Sequence, residues 1–434
     1  MLPTTGRAMD QLERSHGLWK KTAPPAPATT SLDGERSVDV AIVGAGFTGL
    51  SAALHLAQRG IKVAVLEAED IGFGGSGRNV GLVNAGMWVM PNDVPKALGP
   101  VHGERLLEVL GNAPGEVFDL IERHGIECEA ERQGTLHCAV GKSGLEEIQE
   151  RAEQWQARRA PVRVLDAAET AARTGTAAYS GALLDLRAGT IQPLAYVRGL
   201  AGAAMAAGAE IFTRTPVKSI QPSNARWDLV MPGARLVADW VVIATNAYTH
   251  DLWPGLRSEI THLPYFNFAT APLDDRLLKQ ILPERQGAWD TKEILSSFRL
   301  DQAGRLIFGS VGALRGTGAG IHEAWARRGL RRLFPLLDGV RFESSWYGMI
   351  GMTDDSLPKF HRLAPNIIAF HGYNGRGIGT GTVFGRLLSD HICGAPETDL
   401  PLPPTEPVKQ PFRADRERFY ELGAQLAHFV SDRF

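Results

Sequence analysis

The stretch VDVAIVGAGFTGL, residues 38–50, decides the fold. Val38 to Val43 is almost wholly apolar and breaks at once into Gly44-Ala45-Gly46-Phe47-Thr48-Gly49, after which Thr48 to Arg59 has the Ala/Leu-rich composition of a helix. A second apolar run, IKVAVLE at residues 61–67, completes a β-α-β unit of about 30 residues. Near-continuous apolar strands mark a parallel sheet covered on both faces. In GxGxxG the first glycine permits the tight turn, the second lets backbone approach a pyrophosphate, and the third allows close helix-to-strand packing. The helix start offers unpaired N–H groups to phosphate. Glu67, ending the second strand, suits ribose hydroxyls and repels a 2'-phosphate, which points to NAD or FAD and away from NADP.

Outward from this unit, 434 residues are enough for two or three domains at roughly 150 residues each. Lys plus Arg number 46 against 48 Asp plus Glu, a net charge of -2, which excludes a nucleic-acid binder held by bulk charge. Cys128, Cys138 and Cys393 show no metal-ligand spacing, and read as thiols in a reducing compartment. No signal peptide and no apolar run of about 20 residues is apparent, so a cytoplasmic protein is expected.

The expected class is α/β, α+β overall: a Rossmann-type domain built from residues 37–91, 160–250 and 345–394, interrupted by 92–159 and 251–344, which meet as a substrate domain with an antiparallel sheet. ILSSFRL and RLIFGSV, joined by Asp301 to Gly304, read as a hairpin. Residues 1–36 read as an extended arm, lying on the surface or mobile. Residues 395–434 read as a Pro-rich connector and a final helix with Phe419, Leu422, Leu426, Phe429 and Val430 at helical spacing.

Two further glycine-rich segments narrow the nucleotide. AEDIGFGGSGRNVGLVNAG, residues 68–86, holds six glycines where a nicotinamide enzyme would proceed to another helix; its Ala68, Gly75, Ser76, Arg78, Asn79, Gly81 and Leu82 suit passage along a planar ring. HGYNGRGIGTG, residues 371–381, is again strand, glycine loop and helix, and a helix N-terminus there favours a reduced, anionic flavin. Arg376 either adds to that potential or is solvated at the helix start.

With VVIATNAYT at 241–249, these segments resemble the FAD-dependent amine and amino-acid oxidases of the D-amino-acid oxidase superfamily, most of all the gamma-glutamylputrescine oxidase-like branch. The likeness runs from about residue 17 to 393 of the chain. It implies a discontinuous FAD site: Gly44, Gly46 and Gly49, with Phe47 and Thr48, at the pyrophosphate; Glu67 at the ribose; Val217 at the adenine; Thr245, Asn246 and Ala247 over the nucleotide. Gly375, Arg376, Gly377, Ile378, Gly379 and Thr380 would hold the flavin edge. Sarcosine oxidases carry a flavin-linking cysteine where Trp346 to Met349 stand here, so noncovalent FAD is expected. They also carry a substrate-binding lysine where Gly379 stands.

The expected reaction is oxidation of a C–N bond of an amine or amino/imino acid by hydride transfer to flavin N5, giving an imine that hydrolyses. O2, yielding H2O2, or an electron carrier is the acceptor. Candidate catalytic groups are His371, Tyr347, Arg299, His262 and Lys292. Arg299, Arg315 and Lys292 are the candidate partners of a substrate carboxylate, and Lys292 or His262 the charge that aids O2 reduction. Trp346, Tyr347, Tyr265 and Phe266 line an apolar cage or are plain core. Alternatives are an NAD(P)H-dependent flavin reductase or monooxygenase, and a noncatalytic FAD-binding subunit docked through the final helix. No metal and no nucleic-acid partner is expected, and the oligomeric state is open.

Overall fold

The structure is a computed structural model, and it describes residues 15–430. The expected arm before residue 15 and the last four residues of the expected final helix lie outside the described residues.

Strand Gly34–Val43 sits at the centre of a nine-stranded sheet, flanked in parallel by Val63–Leu66 and Ala234–Ile243. Glu210–Phe212 and Ile367–His371 extend it in parallel on either side. Helix Phe47–Ala57 is buried over nearly its whole length, as a helix hydrophobic all round must be, and packs between helices Gly377–Ile392 and Pro193–Ala206. This is the doubly wound domain expected from the first motif.

The second sheet has eight strands, and Ser296–Leu300 and Arg305–Val311 form its expected hairpin. The two interruptions join where Gly287–Asp290 lies parallel to Thr135–Ala139, the one parallel pair in an otherwise antiparallel sheet. Two boundaries differ from expectation. Val162–Leu165 and Gly181–Asp185 pair into this sheet and not the first, and strand Phe342–Met352 pairs with Thr261–Pro272 along its length. Short half-buried strands carry the same period-2 pattern whichever sheet receives them.

Residues 20–36 run largely exposed over the surface, but the segment before them is anchored in the core. Helix Leu18–Thr22 buries Leu18 and Trp19. The Trp19 indole N–H donates to Asn79 O at 2.9 Å, Gln192 Nε2 donates to Trp19 O at 3.0 Å, and the ring meets Trp346 edge-on, centroids 5.4 Å apart. The C-terminal helix Arg413–Val430 also departs from a simple amphipathic reading: it buries Ala424 and His428 while its apolar residues face out.

Candidate active site

A single cavity of about 900 Å³ runs from the first glycine loop into the second sheet. At its first end the walls are backbone. Gly44 turns at φ +109°, and a Cβ on Gly46 would stand 2.9 Å from Ser76 Oγ. Ser76 Oγ accepts the Phe47 N–H at 3.0 Å, which ties the second glycine segment to the helix start. Gly46 itself has no side chain to cap the helix, so the N–H groups that follow Phe47 are left for an anion. Glu67 lines the same end and accepts N–H bonds from Ala45 at 2.8 Å and Glu69 at 2.9 Å. Burial raises its pKa, and those two amides oppose the rise.

The expected nucleotide residues Gly44, Gly46, Phe47, Thr48, Glu67, Ala68, Gly75, Ser76, Arg78, Asn79, Leu82, Val217, Thr245, Asn246, Ala247, Gly375, Arg376, Gly377 and Ile378 all line this cavity. Four others do not. Gly49 packs where a Cβ would fall 2.0 Å from Gly44 O, the close helix-to-strand contact its place in the motif demands. Gly81, at φ +88°, backs onto Ile191 O, and Gly379 packs on Ala113. Thr380 is buried inside its helix.

The far end of the cavity is made of side chains. Trp88, His137, Tyr265, Trp289, Asp290 and Arg376 converge there. His137 stacks on Trp289 with centroids 3.5 Å apart, and Trp88 meets Trp289 edge-on. The Arg376 guanidinium lies 4.7 Å from the Trp88 ring centre and 4.9 Å from that of Trp289. Its Nη1 donates to Ala85 O at 2.9 Å, while Nε is buried without a partner. Burial first, then Arg151, lowers its pKa to about 9, which leaves it a cation at neutral pH. The same burial, with Arg151 and Arg376, holds His137 well below the ordinary histidine value, so the imidazole is neutral. Asp290 accepts the Ser296 N–H at 3.0 Å, and burial raises its pKa.

Most of the expected catalytic residues lie elsewhere. His371 is turned away from the cavity: its Nε2 contacts Leu256 O at 3.0 Å, and burial lowers its pKa to about 4. Tyr347 and Phe266 are paired across neighbouring strands and belong to the core of the second domain. Their neighbours Gly348 and Tyr265 line the cavity instead, because successive residues of a strand face opposite sides. Trp346 is fully buried, donating to Arg78 O at 3.0 Å. Arg299 shares a face with Ser297, as its alternation implied, but lies past the cavity and donates to Gly81 O, Ile191 O and Leu300 O. Arg315 pairs with Glu421, and the backbone of His262 with Glu417, both on the C-terminal helix. Lys292 and Tyr265 do reach the cavity. Trp88, His137, Trp289 and Asp290 were not foreseen, although Thr135 and His137 alternate with core residues Leu136 and Cys138.

A helix start accessible to an anion, a carboxylate at the end of the next strand and a glycine-lined channel leading into an aromatic chamber are the parts a dinucleotide-dependent oxidoreductase needs. The donor set fits FAD: amides and Ser76 for pyrophosphate, Glu67 for ribose, and the loops at 74–82 and 374–378 for the ring. Residues 39–391 match the family described as FAD dependent oxidoreductase, DAO. The chain belongs to that family, and FAD is its cofactor. It is 31% identical over 400 residues to gamma-glutamylputrescine oxidoreductase of Escherichia coli, covering 89% of this chain and 93% of that protein. The glycine oxidase structure from Geobacillus kaustophilus superposes with a TM-score of 0.68 at 22% identity, over 82% of this chain and 95% of that one. L-proline dehydrogenase from P. horikoshii gives 0.69 at 18%, over 85% and 96%. Among the described residues no helix is long and apolar enough to cross a membrane, and no cluster of metal-ligating side chains is present.

Proposed function

We propose that the protein oxidises the C–N bond of a small amine that also carries a carboxylate, giving an imine that water hydrolyses. The observation that carries this reading is that a buried cation and a buried carboxylate line one aromatic-walled cavity. Arg376 is a cation whose polar contact is a carbonyl, and Asp290, with Lys292 as its nearby cation, is a buried carboxylate lining the same cavity. An amino or imino acid presents the complementary pair, and a buried charge is costly until paired. The gamma-glutamylputrescine oxidoreductase relative supports an amine substrate.

When bound, FAD supplies the two-electron acceptor for the hydrogen that leaves carbon as hydride. The chain supplies the rest. Arg376 anchors the carboxylate, and Trp88 and Trp289 hold that cation in place through their ring faces. The aromatic walls exclude water, which favours the neutral amine needed for oxidation. Asp290, its pKa raised by burial, is the group that would take the ammonium proton, while His137, kept neutral by burial and two arginines, offers a hydrogen bond and not a base. Lys292 gives the cavity a positive charge that favours O2 as acceptor.

The test is anaerobic reduction of the bound flavin by N-alkyl amino acids, cyclic imino acids, D-amino acids and polyamines. Bleaching by a carboxylate-bearing amine is expected, and failure of every one of them with fully occupied flavin overturns the reading. Rapid bleaching by NADH or NADPH would transfer the protein to the reductase class. Peroxide on aerobic turnover distinguishes an oxidase from a dehydrogenase using a carrier. None of the three cysteines lines the cavity, so acid precipitation is expected to release the yellow colour into the supernatant.

A further inference from the structure

The C-terminal helix is amphipathic the wrong way round for a helix that ends on its own domain. Its inward face is polar. Glu417 accepts from Arg257 Nη2 at 3.0 Å and from the His262 N–H at 2.9 Å, Glu421 pairs with Arg315, and His428 Nδ1 lies 2.9 Å from His322 Nδ1. These contacts clamp the helix onto Gly318–Leu333 and Thr261–Pro272. Its outward face carries Phe419, Leu422, Leu426 and Phe429, exposed by 71%, 66%, 67% and 48%. Their spacing of three, four and three is that of a helix-to-helix seam, narrower than the broad apolar face that lies in a bilayer. Asp415 and Arg418 continue that side with charges of both signs.

The order of the four side chains identifies the partner. Phe-Leu-Leu-Phe at spacing 3-4-3 reads identically in both directions, with its midpoint at buried Ala424. A two-fold axis sets residue i of one copy against residue j of the other and j against i, and this spacing lets like side chains meet, with Val430 at the margin. We infer that the protein self-associates through this helix, two copies crossing antiparallel so that Phe419 faces Phe429 of the second copy and Leu422 faces its Leu426. Antiparallel helices also set their dipoles in favourable opposition. With aromatic side chains of 150–250 Å² each and flanking Val430, 52% exposed, the pair hides on the order of 1,000 Å², near the lower end for specific interfaces. A reversible dimer is therefore expected, dissociating at roughly micromolar concentration.

Sedimentation velocity of the full-length holoenzyme across a concentration series tests this. The wild type should show a monomer–dimer equilibrium, and L422E/L426E should weaken it by roughly 100-fold or more with flavin content and melting temperature unchanged. The milder L422A/L426A serves if the charged variant fails to fold. Orientation is read by oxidative cross-linking in a C393S background, which removes the exposed native thiol. A mixture of L422C and L426C chains should cross-link far better than either alone. A wild type that stays monomeric to about 100 µM, a dimer that survives both double variants, equal cross-linking of L422C by itself, or vesicle binding without self-association overturns the inference.

Discussion

The two ends of the cavity are built on opposite principles. The nucleotide end is mostly backbone: Gly44, Gly46, the helix start that Gly46 leaves accessible, and one carboxylate fixed by two amides. The chemical end is side chain: two tryptophans, a stacked histidine, an arginine and an aspartate drawn from four separated parts of the chain. An atom added to the first end has nowhere to go, whereas a change at the second alters what is recognised while leaving the cradle intact.

The largest effect that can break this contrast is at Gly49, which touches no ligand. A Cβ there would lie 2.0 Å from Gly44 O, so Gly49→Val is expected to lose nearly all flavin, with affinity down more than about 100-fold, measured as bound flavin per protein. Retention of flavin would mean that the cradle yields more than its packing implies. Arg376→Gln should do the reverse. Flavin content stays, and kcat/KM for a carboxylate-bearing amine falls by roughly 100-fold, the cost of removing one partner of a buried charge pair. Loss of flavin in this variant would assign Arg376 to the nucleotide end.

His371 belongs to neither end, and its effect is the smallest. Burial lowers its pKa to about 4 from 6.5, with Glu259 opposing and His361 adding to the fall. The unfolded chain therefore takes up the proton first, so the contribution to stability is complete above about pH 6.5 and declines toward pH 4, by about 1.4 kcal/mol per unit at most. Buried His322 and His428, lowered to about 4 and about 3, act in the same direction. Melting temperature against pH should fall across that window, and His371→Gln should flatten the slope by one proton's share. Flavin reduction by substrate should persist in this variant; its abolition in a folded, flavin-replete protein would place His371 in the chemistry after all.

The contrast also explains what was legible in the sequence. Glycines that approach a pyrophosphate must lie in one short segment between a strand and a helix, so residues 38–50 announced the cradle. Glu67 stood where the next strand had to end. The chemical end depends on strand parity and sheet partner, which no local pattern specifies. One residue of register separates Tyr347, in the core, from Gly348, on the cavity. Two residues separate Ser297, on the cavity, from Arg299, spent on carbonyls. His137 and Trp289 lie about 150 residues apart and meet through the pairing of Gly287–Asp290 with Thr135–Ala139, a contact that joins the two interruptions and leaves no trace in either.

Trp19 gives the chain's biogenesis an order. It leaves the ribosome before any strand of the first sheet, yet its ring waits for Trp346 and its indole N–H for the loop at Asn79. The earliest described helix thus completes its contacts only when much later parts of the chain are present. A chain halted before residue 346 would lack the ring on which Trp19 packs, so the first described helix is tied to a strand more than 300 residues further along.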